Sequence, residues 1–130
     1  MLKILFAGLA LVASFSSAAS CWTVVGVKGS SYSEGEGYKR IDDSYSGKFT
    51  IVIDGDNASV LYDGLDAGGM VYRPMADNVV VGITTESKGY VMETWVIQPD
   101  GNVLMNKTIS GTAGVDSTKA MVGAVVGRCQ

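Results

Sequence analysis

This chain predicts an all-β fold: a small antiparallel barrel of about eight strands, up-and-down in order, or else a β-sandwich, with its terminal strands stapled by a disulfide. Three observations predict it. Short runs of alternating apolar and polar residues recur, clusters of Gly, Asp, Asn and Pro separate them, and the two cysteines, Cys21 and Cys129, lie near opposite ends of the chain.

Residues 1–20, MLKILFAGLALVASFSSAAS, have one early lysine, a short apolar run and then small residues, which is the layout of a secretory signal peptide. The run from Ile4 to Ala13 is about half of the roughly 20 residues a membrane-crossing helix needs, so no transmembrane helix is expected. What remains, 21–130, suits a single β domain with export to the periplasm or the medium. Nine Lys and Arg then face thirteen Asp and Glu, a formal charge of −4 with no basic cluster. Nucleic acid is not expected as a partner, because phosphate binding needs concentrated positive charge.

Trp22 to Lys28 is β-branched and apolar and reads as the first strand. Gly29 to Ser46, rich in Ser, Gly, Tyr and charge, shows neither helical nor strand period and reads as one long loop. Phe49, Ile51 and Ile53 share one face, as do Ala58, Val60 and Tyr62, and Asp54 to Asn57 between them carry hairpin-turn chemistry. Met70 to Arg73 is a short strand closed by Pro74, which marks an end or an edge. Asn78 to Thr84 follows, then a turn at Glu86 to Gly89. Tyr90 to Gln98 is the longest candidate, with its inner face undecided because Glu93 falls on the side of Val91, Trp95 and Ile97. Pro99 to Asn102 turn the chain into Val103 to Ile109. Ser110 to Lys119 reads as flexible, and Met121 to Arg128 closes the set, with Gly123 and Gly127 as places where neighbours could approach closely.

An even number of meandering strands brings the start of the first beside the end of the last, where Cys21 and Cys129 fall. A bridge there would staple a closure seam that removes both sheet edges. The competing reading puts lipid on Cys21, directly after the leader. Ala18, Ala19 and Ser20 precede it where lipoprotein leaders carry a Leu-like residue, and lipidation would strand Cys129 as a lone thiol, so the bridge is preferred.

Histidine is absent and both cysteines go into the bridge, which removes the common triads, the commonest general base and the usual zinc ligands. Asp54 and Asp56 sit in a turn that favours Asp for backbone reasons, and Ala58 and Val60 follow where calcium ligands would be needed. Neither catalysis, cofactor nor metal is expected. The leading expectation is an exported, non-enzymatic binding domain that meets an unidentified protein through the 29–46 loop, using Tyr32, Glu34, Glu36, Tyr38, Lys39, Arg40 and Tyr45. The alternative is a carrier of a small apolar ligand in a barrel interior lined by Trp22, Tyr62, Tyr72, Met92, Trp95 and Met105.

A third reading is a periplasmic inhibitor of a hydrolase. Lipocalin-like binders and exported lysozyme inhibitors are small β-barrels too, a likeness of architecture alone. Ser59 and Tyr62 have the spacing of a Ser-Gly-x-Tyr inhibitor loop, but Val60 stands where glycine is needed, so no family is assigned.

Overall fold

The computed structural model describes residues 19–66, 68–84 and 88–129, and these form nine antiparallel strands. They are β1 (Ser20–Ser33), β2 (Ile41–Ser44), β3 (Phe49–Asp54), β4 (Asn57–Tyr62), β5 (Met70–Ala76), β6 (Val79–Thr84), β7 (Tyr90–Ile97), β8 (Asn102–Ser110) and β9 (Ser117–Arg128). The lower half of β1 pairs with β3 and its upper half with β2, so β2 and β3 are two lengths of one stave. Eight staves result, in an up-and-down order. Residues 1–18, which hold most of the expected leader, and residues 85–87, which include the first half of the expected Glu86 to Gly89 turn, lie outside the described residues. Among the described residues, no helix is long and apolar enough to cross a membrane.

β1 is longer than its apolar content suggests because a bulge resets its parity. Gly26 takes φ 63°, and the register with β9 slips between Val25 and Lys28. Trp22 and Val24 point inward before the bulge and Val27 after it, all buried. The strand even begins one residue inside the expected leader, since Ser20 pairs with Ile53.

The 29–46 segment is not a loop. Its first part continues β1 to Ser33, a single 3₁₀ turn at Glu34–Glu36 reverses it, and β2 returns. Backbone pairing along the barrel wall, rather than apolar side chains, makes these residues strand. The flexible connection expected over Ser110 to Lys119 likewise shrinks to 111–116, because β9 starts at Ser117.

Closure is nearly complete. β1 and β9 share a long ladder, and Cys21 and Cys129 are bridged at its lower end with Cα atoms 5.0 Å apart. The Cys129 N–H donates to the Cys21 carbonyl at 3.1 Å. The edges that remain are elsewhere: the hydrogen-bonded path runs β4-β3-β1-β9-β8-β7-β6-β5, and β4 and β5 lie together without a shared ladder. Pro74, which has no N–H to offer a neighbour, sits on β5 at that seam.

The lower half of the barrel is filled. Trp22, Val24, Val27, Ile51, Val80, Ile97 and Val103 pack there, and Val24 and Val27 use the space left by Gly123, whereas Gly127 has open space around it. The upper half is not filled in this way.

Candidate functional site

Alternation along β7 sends Glu93, Trp95 and Ile97 inward, and the three end in different layers. Ile97 joins the lower core. Trp95, 1% exposed, forms a floor with Phe49, Val60 and Met105. Glu93, one step higher and 6% exposed, stands at the side of a cup above that floor.

A buried carboxylate needs partners, and Glu93 has three. The Trp95 indole N–H donates to its Oε1 at 2.6 Å, and the Tyr72 hydroxyl donates to the same oxygen at 3.1 Å. Lys107 Nζ lies 3.5 Å from Oε2. Strand register produces this arrangement, because Tyr72 faces Gly82, Gly82 faces Glu93, and Glu93 faces Lys107. Gly82 is the gap that lets Tyr72 reach across: a Cβ there would run into the Tyr72 ring. Burial first, and then the adjacent Glu93 charge, push the Tyr72 hydroxyl well above the usual tyrosine range.

The opposite wall is aromatic. Tyr45 meets Phe49 edge-on at 5.1 Å between ring centres, Phe49 lies 4.8 Å from Tyr62, and Phe49 lies 4.7 Å from Trp95. The Gly47 N–H donates to the Tyr62 hydroxyl at 2.9 Å, fixing that ring. Above Tyr45 comes a second ion pair, Lys119 Nζ to Asp43 Oδ2 at 3.0 Å, with the Tyr45 hydroxyl 3.4 Å from the same nitrogen. Burial alone would raise the Asp43 pKa, but the Lys119 hydrogen bond and charge and the Ser44 N–H outweigh it and hold it below the usual range. Burial would lower Lys119, but Asp43 and Tyr45 outweigh it and hold its pKa above the usual range.

The cup has a volume of about 190 Å³, with Leu65 at its edge beside Tyr62. An apolar cavity of about 150 Å³ holds one benzene ring, so the cup has room for a single ring with a short substituent. No protein-family model, curated protein or solved structure matches the chain. The cup's geometry therefore carries the functional argument by itself.

Of the residues expected to line an interior cavity, Tyr62, Tyr72, Trp95 and Met105 converge on the cup. Trp22 does not: it is buried at the disulfide end, with Arg128 over its ring at 4.9 Å. Met92 has the opposite parity to Trp95 and lies outside, 58% exposed. Of the residues expected to form a binding loop, Tyr45 lines the cup instead. Tyr32, Glu34, Glu36, Tyr38, Lys39 and Arg40 are exposed on the β1–β2 hairpin. Several are engaged within it: Arg40 pairs with Asp42 and donates to Ser30, and Glu34 accepts the Gly114 N–H.

Sequence reasoning missed Glu93 and Lys107 as site residues. The available signal was a glutamate on the apolar face of a strand, matched by a lysine in phase with Val103 and Met105 on the next strand.

Proposed function

We propose that this chain is an exported small-molecule-binding barrel whose ligand sits in the cup above Trp95. One observation carries the reading: five aromatic side chains, Tyr45, Phe49, Tyr62, Tyr72 and Trp95, converge on a space of about 190 Å³ with Glu93 and Lys107 as its polar wall. A small apolar pocket with a few convergent polar groups is the usual form of a ligand site. The leader-like residues 1–20 and a bridge between residues 108 apart both suit an oxidising compartment outside the cytoplasm. A Cys21 sulfur joined to Cys129 has no thiol to give to a lipid.

The test uses the position of Trp95. Trp22→Phe leaves Trp95 as the sole tryptophan, and its emission is followed while toluene, phenol and benzamide are added, with native mass spectrometry of the protein from its own host alongside. A ligand of about eight heavy atoms binds at roughly 10 μM to 1 mM by the efficiency typical of such small molecules. Unchanged emission across the panel, together with a bare native mass, sinks the proposal.

A second reading has its own support. Tyr38, 59% exposed, is held at φ 58° at the tip of the β1–β2 hairpin, a left-handed conformation uncommon for a bulky residue. A strained, exposed aromatic on a hydrogen-bonded tip suits contact with a protein partner, a hydrolase among the candidates. Tyr38→Ala would then abolish capture of that partner without lowering the melting temperature. Capture that survives the substitution removes Tyr38 from the interface.

A further inference from the structure

The polar wall of the cup holds a carboxylate oxygen and an ammonium that are only loosely paired. Both hydrogen bonds to Glu93 fall on Oε1, leaving Oε2 with Lys107 alone at 3.5 Å. A charge-assisted N–H···O bond is normally about 2.7–2.9 Å, so this pair is open by more than half an ångström. Lys107 has no other ionic partner among the described residues. Two opposite charges are thus held side by side, neutral in sum, at the edge of an aromatic space one ring wide.

From this we infer that the cup selects a neutral single-ring aromatic whose head group both donates and accepts hydrogen bonds, a primary amide or a phenol. The inference rests on the ligand-binding reading above. The ring lies on the Phe49 and Trp95 floor, and the head bridges Glu93 Oε2 and Lys107 Nζ. A ligand carboxylate would satisfy Lys107 but meet the Glu93 carboxylate at close range. A ligand ammonium would satisfy Glu93 but meet Lys107. Either one brings a third, uncompensated charge into a partly desolvated site, and that costs more than a neutral head that completes both hydrogen bonds. A bare ring leaves both groups unserved.

The experiment is a titration of the full disulfide-bonded protein with benzamide, benzoate, benzylamine and toluene near neutral pH. It uses the native chain, Glu93→Gln and Lys107→Met, and is read by calorimetry. In the native protein benzamide binds at least about tenfold more tightly than the other three, because each of them brings a misplaced charge or leaves a polar partner unmet. Lys107→Met turns the preference towards benzylamine, and Glu93→Gln turns it towards benzoate.

Equal affinity for benzamide and toluene in the native chain overturns the inference while leaving a ligand-binding cup. Binding of none of the four overturns the inference, and together with a bare native mass it overturns the ligand-binding reading as well. A benzamide preference that neither substitution alters overturns the assignment to Glu93 and Lys107. Circular dichroism checks that each variant is folded, and if neither folds, the order of the four ligands on the native chain decides.

Discussion

Gly82→Ala is the substitution that most directly tests how the cup is built. Gly82 lies mid-strand on β6 with no left-handed φ, so alanine fits the backbone there. On that ground alone the change would stabilise by about 0.4–1 kcal/mol, by restricting the unfolded chain. The structure predicts the opposite sign. The new methyl enters the Tyr72 ring and comes within 3.1 Å of the Met70 methyl. The ring cannot withdraw without giving up its hydrogen bond to Glu93. Overpacking of this kind costs about 1–3 kcal/mol, so the net effect is a loss of about 1–2 kcal/mol. In a Tyr72→Ala background the obstacle is gone, and Gly82→Ala becomes neutral or stabilising. The two effects differ in sign, which sets a coupling of about 2 kcal/mol for residues in contact. Urea unfolding of the four proteins, with midpoint and slope both fitted, measures it. Equal costs for Gly82→Ala in the two backgrounds, within about 0.5 kcal/mol, would refute the claim that Gly82 exists to seat Tyr72.

Other expectations follow from the same contacts. Reducing the Cys21–Cys129 bridge, which closes a separation of 108 residues, removes roughly 2–5 kcal/mol and lowers the melting temperature by 10 °C or more, measured with and without reductant. Tyr72 has its pKa raised above the ordinary 10.0, so the stability it contributes is complete below about pH 10 and is lost as pH rises towards its folded value; Tyr72→Phe removes that alkaline loss, and the latest tyrosinate absorbance change with it. Asp43 has its pKa depressed below 3.8, so its contribution is present above that pH and is lost as pH falls through the folded value; Asp43→Asn flattens that acid limb in a pH series of unfolding midpoints. Tyr38→Gly is neutral or stabilising by up to about 1 kcal/mol because it relieves a positive φ, whereas Tyr45→Ala costs about 2–4 kcal/mol by removing the partner of Phe49 and Tyr62, both read by chemical denaturation.

The sequence is legible where one side of a strand is dry and the other wet. Phe49, Ile51, Ala58, Val60, Val103 and Met105 alternate because the barrel has an inside, and β3, β4 and β8 fall where that alternation puts them. The upper half of β1 and all of β2 were not legible, for a physical reason. Ser30 faces Asp42 and Ser31 faces Ile41 at the open end, where polar side chains are tolerated inside and outside alike, so no period survives. The bulge at Gly26 hides the continuation further by flipping parity midway. Within the site, parity alone separates Met92 from Trp95. Trp22 could not be separated in that way: it does face inward, and only the register of β1 against β3 and β9 places it at the disulfide end. Glu93 looked like a reason to doubt the inner face of β7, and it is the residue around which the polar wall is arranged.

Why the barrel is hollow at one end follows from the charges inside it. In one ring around the wall, Glu93 on β7, Lys107 on β8 and Lys119 on β9 face inward in register, and Asp43 on β2 reaches Lys119 from beyond β1. Two acids and two bases cannot form a packed apolar layer like the one built from Trp22, Ile51, Ile97 and Val103. Replacing such pairs by apolar residues of similar volume is often neutral or stabilising, so the ring does little for the fold that a set of aliphatic side chains would not do as well or better. Of the four charges, Glu93 and Lys107 give the aromatic cup its polar edge, and the Lys119–Asp43 pair stands beside Tyr45, outside the cup lining.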